Sequence, residues 1–192
     1  MINSKVEIFN KAKKLHLSGN FSEAKKLYLK LIEVDKDNFL FQNLLGATFL
    51  QLKKYDEGIK HLDISIKLNP NYAESFGYKG LALAGKQQYQ EAIAFYDKAI
   101  SIKKKFYDAY LNKGVALKNI NKYEEALKYF EFCIKVNRGD PKIYINLGNL
   151  FLKQNNLKES LKAYDKAISL QDGFAEAYSN RGDINQLLRN YK

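Results

Sequence analysis

The sequence has no tryptophan, one cysteine, one methionine and two prolines in 192 residues. A single thiol, Cys133, excludes an internal disulfide framework and suits a reducing compartment. Two prolines and 11 glycines exclude a collagen-like or low-complexity chain. No apolar run reaches the roughly 18–20 residues of a membrane-spanning helix, which argues against membrane insertion. The opening Met1-Ile2-Asn3-Ser4-Lys5 lacks the apolar core of a secretory signal. The two histidines, His16 and His61, form no H-E-x-x-H pair, so no metal site is expected. The phosphate-binding patterns G-x-G-x-x-G and G-x-x-x-x-G-K-[ST] are missing, as is the nucleophile elbow G-x-S-x-G. The expectation is a non-enzymatic cytoplasmic chain without cofactor or catalytic residue.

Charge of one sign is in excess: 32 basic against 21 acidic residues, a formal net charge of +11. Only three of the basic residues are arginines, whereas phosphate-reading surfaces favour the planar, bidentate guanidinium. Most lysines fall on polar helix faces and in turns, several with acidic neighbours three or four residues away, as Asp63 has Lys60 and Lys67. The run Lys103-Lys104-Lys105 belongs to no recognition motif for nucleic acid. A solvated surface is therefore the reading, and nucleic acid is not the expected partner.

The sequence does contain a repeat. Gly46, Gly80, Gly114, Gly148 and Gly182 are each 34 residues apart, and Ala12 lies one period earlier. Five full units follow, 5–38, 39–72, 73–106, 107–140 and 141–174, with a partial unit 175–192. Within each unit an aromatic or leucine (Phe21, Tyr55, Tyr89, Tyr123, Leu157) precedes a small residue (Ala24, Gly58, Ala92, Ala126, Ser160). A large residue then follows (Tyr28, Leu62, Tyr96, Phe130, Tyr164). Steps of three and four residues place these on one stripe of a helix. Each unit thus reads as two helices joined by a polar turn, the second opening with acids such as Glu23, Glu91 and Glu159 that suit the helix dipole. One pair cannot bury its own stripe, so neighbouring pairs must stack into an all-α solenoid. Cys133, in a small-residue column, is expected as a buried packing thiol.

Gly80-Leu81-Ala82-Leu83-Ala84, Tyr89-Gln90-Glu91-Ala92-Ile93-Ala94-Phe95-Tyr96-Asp97-Lys98-Ala99-Ile100 and the segment Tyr107–Val136 resemble the tetratricopeptide-repeat family. The resemblance covers nearly the whole chain and implies one domain, 1–192, wound as a right-handed superhelix of antiparallel helix pairs. It also implies a concave groove lined by the first helix of each unit, which binds extended peptides or partner proteins. Two departures stand out. Gln42 replaces a large apolar residue, so a softer contact is expected there. Lys11, Lys79, Lys113 and Arg181 occupy a usually leucine-like column, where their stems can cover apolar surface while the charge reaches water.

The groove columns carry the functional expectation. The sixth residue of successive units is Asn10, Leu44, Tyr78, Asn112, Asn146 and Asn180. A carboxamide both donates and accepts, so Asn112, Asn146 and Asn180 can match the alternating N–H and C=O of an extended peptide. This resembles the asparagine ladder in the repeat arm of O-linked N-acetylglucosamine transferase. Asn149 lies beside them, and Leu81, Leu111, Val115 and Ile145 supply apolar surface for peptide side chains. A carboxylate clamp of the chaperone-tail type is not expected, because the neighbours of Lys142, Asn146 and Asn149 supply Asp108 and Glu176.

The first units, Leu15–Ala24 and Gly46–Ile59, also resemble repeat arms fused to bacterial glycosyltransferases. The alternative function is therefore a substrate-recognition arm of a larger transferase truncated at residue 192. The repeat stops at Asn190-Tyr191-Lys192, the opening of a second helix, so the last first helix is expected to expose Leu188 and Tyr191 and to be open to self-association.

Overall fold

The computed structural model of the chain describes residues 2–190. Eleven helices, and no strand, occur among the described residues. Helices α1 (Ile2–Leu17), α2 (Phe21–Val34), α3 (Phe39–Gln51), α4 (Tyr55–Leu68), α5 (Ala73–Gly85) and α6 (Tyr89–Ile102) come first. They are followed by α7 (Tyr107–Asn119), α8 (Tyr123–Val136), α9 (Pro141–Lys153), α10 (Leu157–Leu170) and α11 (Ala175–Asn190). The starts of α3, α5, α7, α9 and α11 coincide with the first residues of the sequence repeats. The all-α solenoid of antiparallel helix pairs is therefore the fold found. The chain divides into two compact units, Met1–Ala109 and Tyr110–Lys192.

The turn inside each hairpin is a repeated backbone device. Gly19, Lys53, Gln87, Asn121 and Asn155 all have φ between 57° and 79°. In α3–α4 the Lys53 N–H donates to Leu50 O at 2.9 Å and the Lys54 N–H to Phe49 O at 2.9 Å. Those two bonds satisfy carbonyls that the end of α3 leaves open, the Schellman pattern. Four of the five residues carry side chains in this left-handed region, at a local cost of roughly 1 kcal/mol each. The next helix starts at once. Asn20 and Asn156 accept from the Glu23 and Glu159 N–H at 3.4 Å, capping α2 and α10.

Helix pairs close through the small-residue column. In the first unit a methyl group at Gly46 would stand 2.7 Å from Leu62 Cγ, and one at Gly80 2.6 Å from Tyr96 Cε1. Ala12 is fully buried with Tyr28, Leu31, Phe41 and Leu45. In the second unit Gly114 lies under Phe130 and Gly148 under Tyr164 in the same way. Rings fill the space that small residues leave, which gives the close packing of an interior. Cys133 is buried in this layer.

Gln42 does not mark a soft contact. It is 4% exposed, donates through Nε2 to Lys36 O at 3.1 Å and accepts from His61 Nδ1 at 2.8 Å. Both ends of the amide are paired, so the polar residue costs little in the interior. The basic column differs from the expectation that its charges reach water: Lys113 is buried at 8% exposure, and the cations lie over aromatic rings. Lys79, Lys113 and Arg181 place their cations 4.3, 4.5 and 5.3 Å from the ring centres of Phe95, Tyr129 and Tyr178.

At the end of α11, Leu188 is half-buried rather than exposed. It packs against the cluster of Tyr164, Ala167, Ala177 and Ile184, because α11 turns this face toward the preceding hairpin. Tyr191, the other residue expected to be exposed there, lies outside the described residues. No helix among them is long and apolar enough to cross a membrane.

Candidate functional site

The first helices of the second unit supply the site. Asp140 caps α9 by accepting from the Lys142 N–H at 2.9 Å, and Pro141 opens the helix with its φ already fixed. This start sets the register by which Lys142, Ile145, Asn146 and Asn149 fall on one face of α9, at spacings of three and four. Residues Leu111, Asn112 and Val115 of α7 and Phe174 and Glu176 at the start of α11 complete the walls of a cavity of about 290 Å³.

Six of the eight residues expected from the sequence meet here: Leu111, Asn112, Val115, Ile145, Asn146 and Asn149. Leu111 and Ile145 are largely buried, at 8% and 7% exposure, so they form the floor rather than projecting from it. The remaining two differ. Leu81 belongs to the first unit, half-buried against Leu50, Leu62 and Ala82. Asn180 is not part of the cavity lining. Phe174 was not anticipated, although the column holding Tyr72, Phe106 and Phe174 is aromatic in three of five units. The packing of Phe106 on Gly77, 3.1 Å from a built methyl, shows what that column does in the first unit.

The asparagines have separate roles. Asn180 Nδ2 donates to the Tyr164 hydroxyl oxygen at 3.0 Å and to Asn149 Oδ1 at 3.2 Å. Asn149 Oδ1 also accepts from the Tyr164 hydroxyl, and its Nδ2 donates to Glu176 Oε1 at 2.8 Å. Together these bonds tie α9, α10 and α11. Asn146 Nδ2 donates to Lys142 O at 3.0 Å, and its Oδ1 accepts from Lys118 Nζ at 3.2 Å. Asn112 is half-buried and lines the cavity.

Charge at the site is mixed. Burial holds the Lys118 ammonium below the ordinary lysine range, with Glu176 opposing the shift and Lys153 adding to it. Burial also raises the Tyr164 phenol, which keeps its proton available for Asn149. The set of groups suits hydrogen bonding to a polar backbone above an apolar floor. Among the described residues, no cluster of three or more His, Cys, Asp or Glu side chains could hold a metal ion.

Comparison with known proteins bears on what such a surface is for. Tetratricopeptide-repeat family models match residues 18–73, 48–110, 107–140 and 141–174, an almost unbroken run. The chain belongs to the tetratricopeptide-repeat family. Members of this family are in general protein-interaction scaffolds, and such scaffolds are generally non-enzymatic.

Among curated relatives of this repeat chain, Hsc70-interacting proteins 1 and 2 of Drosophila melanogaster are 39% identical over 62 residues. That stretch is 32% of this chain and only 16% of theirs, so the match spans about one sixth of those relatives' length. Solved structures resemble it over far more of its length. TTC0263, a thermophilic TPR protein in Thermus thermophilus, superposes with a TM-score of 0.80 at 15% identity, covering 95% of this chain and 99% of that one. YrrB, described as a TPR protein with an unusual peptide-binding site, gives a TM-score of 0.69 at 20% identity, covering 91% and 90%. These likenesses are of fold.

Proposed function

We propose that this repeat protein is a peptide-binding scaffold whose second unit holds an extended segment of a partner protein, without chemistry of its own. The observation that carries the reading is the cavity between α7, α9 and the start of α11. It sets the carboxamides of Asn112 and Asn146 beside an apolar floor of Leu111, Val115 and Ile145. The carboxamides pair with the backbone of the bound segment, and the floor takes one of its side chains. Asn149 and Asn180 act behind them, fixing α9 and α11 through Tyr164 so that the cavity keeps its shape. Each backbone bond contributes roughly 0.5–1.5 kcal/mol net, so affinity comes mainly from several acting together.

Peptides selected from a random library against the full chain test this directly. Changing Asn112 and Asn146 together to alanine should weaken the selected peptides by about tenfold, the equivalent of two modest hydrogen bonds. Undiminished binding by the folded double variant would sink the assignment. The recognition-arm reading, in which a larger transferase presents its substrate here, uses the same groove and rests on the likeness of the first units alone. It would be favoured if the selected peptides matched an acceptor substrate of such an enzyme.

A further inference from the structure

Tyr28 and Tyr164 occupy the same column of the repeat, four periods of 34 residues apart, but their hydroxyls meet opposite surroundings. Tyr164 donates to Asn149 and accepts from Asn180. Four periods earlier, the positions equivalent to Asn149 and Asn180 are held by Lys13 and Leu44. An ammonium has no lone pair and leucine has no polar atom, so neither can accept a proton from Tyr28. The Tyr28 side chain is 0% exposed and its hydroxyl has no hydrogen-bond partner. Burial pushes this phenol up to about 12, with Tyr78 adding to the shift, so it remains a donor.

A cavity of about 320 Å³ occupies the place where the missing asparagines would be, with Lys13, Tyr28 and Leu44 all in its wall. That volume is at the lower end of the roughly 300–1,000 Å³ typical of small-molecule sites. Phe9, Leu17 and Leu40 join Leu44 in making the remaining surface mostly apolar. Tyr78 also lines it, and burial, with Asp108 and Glu74 adding, raises that phenol so that it too keeps its proton. Burial lowers the His16 pKa, so near neutral pH this ring adds no cation. Its Nδ1 lies 3.0 Å from Thr48 Oγ1, a hydroxyl that itself donates to Leu44 O at 2.7 Å, so Nδ1 carries the proton. The Lys13 ammonium stands 5.2 Å over the Phe9 ring at the cavity edge. The site therefore offers phenolic O–H donors, one cation and an apolar lining, and no carboxylate among its lining residues answers them.

We propose that this cavity binds a small amphipathic monocarboxylate, an aliphatic chain of several carbons ending in a carboxylate. One carboxylate oxygen accepts from the Tyr28 O–H and the other faces the Lys13 ammonium, while the chain lies against Phe9, Leu40 and Leu44. The hydroxyl is closed off from water in this structure, and entry is through the exposed rim, where the side chains of Lys13 and Leu17 swing aside. The site lies wholly in the first unit and uses none of the asparagines of the second, so it stands apart from the peptide-binding reading.

Octanoate titrated into the full chain by calorimetry, with octan-1-ol as the uncharged counterpart, tests the proposal. One saturable site is expected for octanoate, with octan-1-ol at least about tenfold weaker, since it lacks the charge that Lys13 recognises. Tyr28→Phe should weaken octanoate about fivefold, the loss of one hydrogen bond. Lys13→Asn rebuilds the acceptor that Asn149 gives Tyr164 and should weaken octanoate at least as much, because the O–H is then engaged and the cation is gone. Lys13→Met, at an exposed position, removes the cation without supplying an acceptor and should weaken octanoate about tenfold while leaving octan-1-ol unchanged; unchanged octanoate affinity would overturn the proposal. Absence of saturable octanoate uptake, equal affinity in Tyr28→Phe, or octan-1-ol binding as well as octanoate would each overturn it.

Discussion

His61 Nδ1 donates to Gln42 Oε1 across 2.8 Å while its ring stacks on Phe49 at an interplanar angle of 8°. The bond assigns the proton to Nδ1, because a carboxamide oxygen can only accept. Burial holds the His61 pKa below its usual 6.5, with Lys60 adding to the shift, and burial lowers His16 likewise. Protonation is therefore easier in the unfolded chain. The stability these neutral rings contribute is present in full above about pH 6.5 and is lost as pH falls through their lowered folded values. The urea midpoint should be lower at about pH 5.5 than at about pH 7.5, and His61→Phe should flatten that dependence. A slope unchanged by the substitution would remove His61 as a cause.

The two tyrosines of the same column predict opposite outcomes on stability. Tyr164→Phe removes one hydrogen bond from each of Asn149 and Asn180, both of which bond its hydroxyl, and should cost about 1–2 kcal/mol in a denaturant melt. Tyr28→Phe removes a buried hydroxyl that has no partner, so it should be neutral or stabilising by up to about 1 kcal/mol. Equal losses in the two variants would mean that the Tyr28 hydroxyl is paired after all.

Glycine in one column serves two purposes, and alanine separates them. A methyl group at Gly148 would stand 2.6 Å from Tyr164 Cε1, whereas at Gly182 nothing lies within 4 Å. Gly148→Ala should destabilise by about 1–3 kcal/mol, because ring and helix must move apart. Gly182→Ala should raise stability by up to about 1 kcal/mol through helix propensity alone. Thermal melts of the two single variants read the difference.

Most of the architecture was legible in the sequence for a physical reason. Apolar and small residues recurring at helical spacing, and again every 34 residues, admit few arrangements other than stacked helix pairs. Glycine repeated in step with a large residue in the following helix, as Gly148 with Tyr164, is the sequence mark of close helix approach. The left-handed turn residues were harder to see. Gly19, Asn121 and Asn155 are of types that favour this conformation, but Lys53 and Gln87 adopt it too, since the backbone bonds of the turn impose it.

The candidate groove was legible only in part. Asn112, Asn146 and Asn180 form one column and look interchangeable, but side-chain partners from other helices separate them. Asn180 is committed to Tyr164 and Asn149, whereas Asn146 bonds Lys118 and its own helix's Lys142 carbonyl and keeps one N–H and one oxygen lone pair for a ligand. Likewise Gln42 read as a flaw until His61 and the Lys36 carbonyl were found at its two ends.

What the sequence by itself determined was the repeat, its helices and the face each helix buries, because periodic hydrophobicity acts locally and every unit repeats it. The tertiary structure decided which equivalent residues are paired and which are left open. Partnership depends on atoms brought together from different helices, and two changes there, Lys13 and Leu44 where Asn149 and Asn180 stand, replace a closed hydrogen-bond network by a cavity.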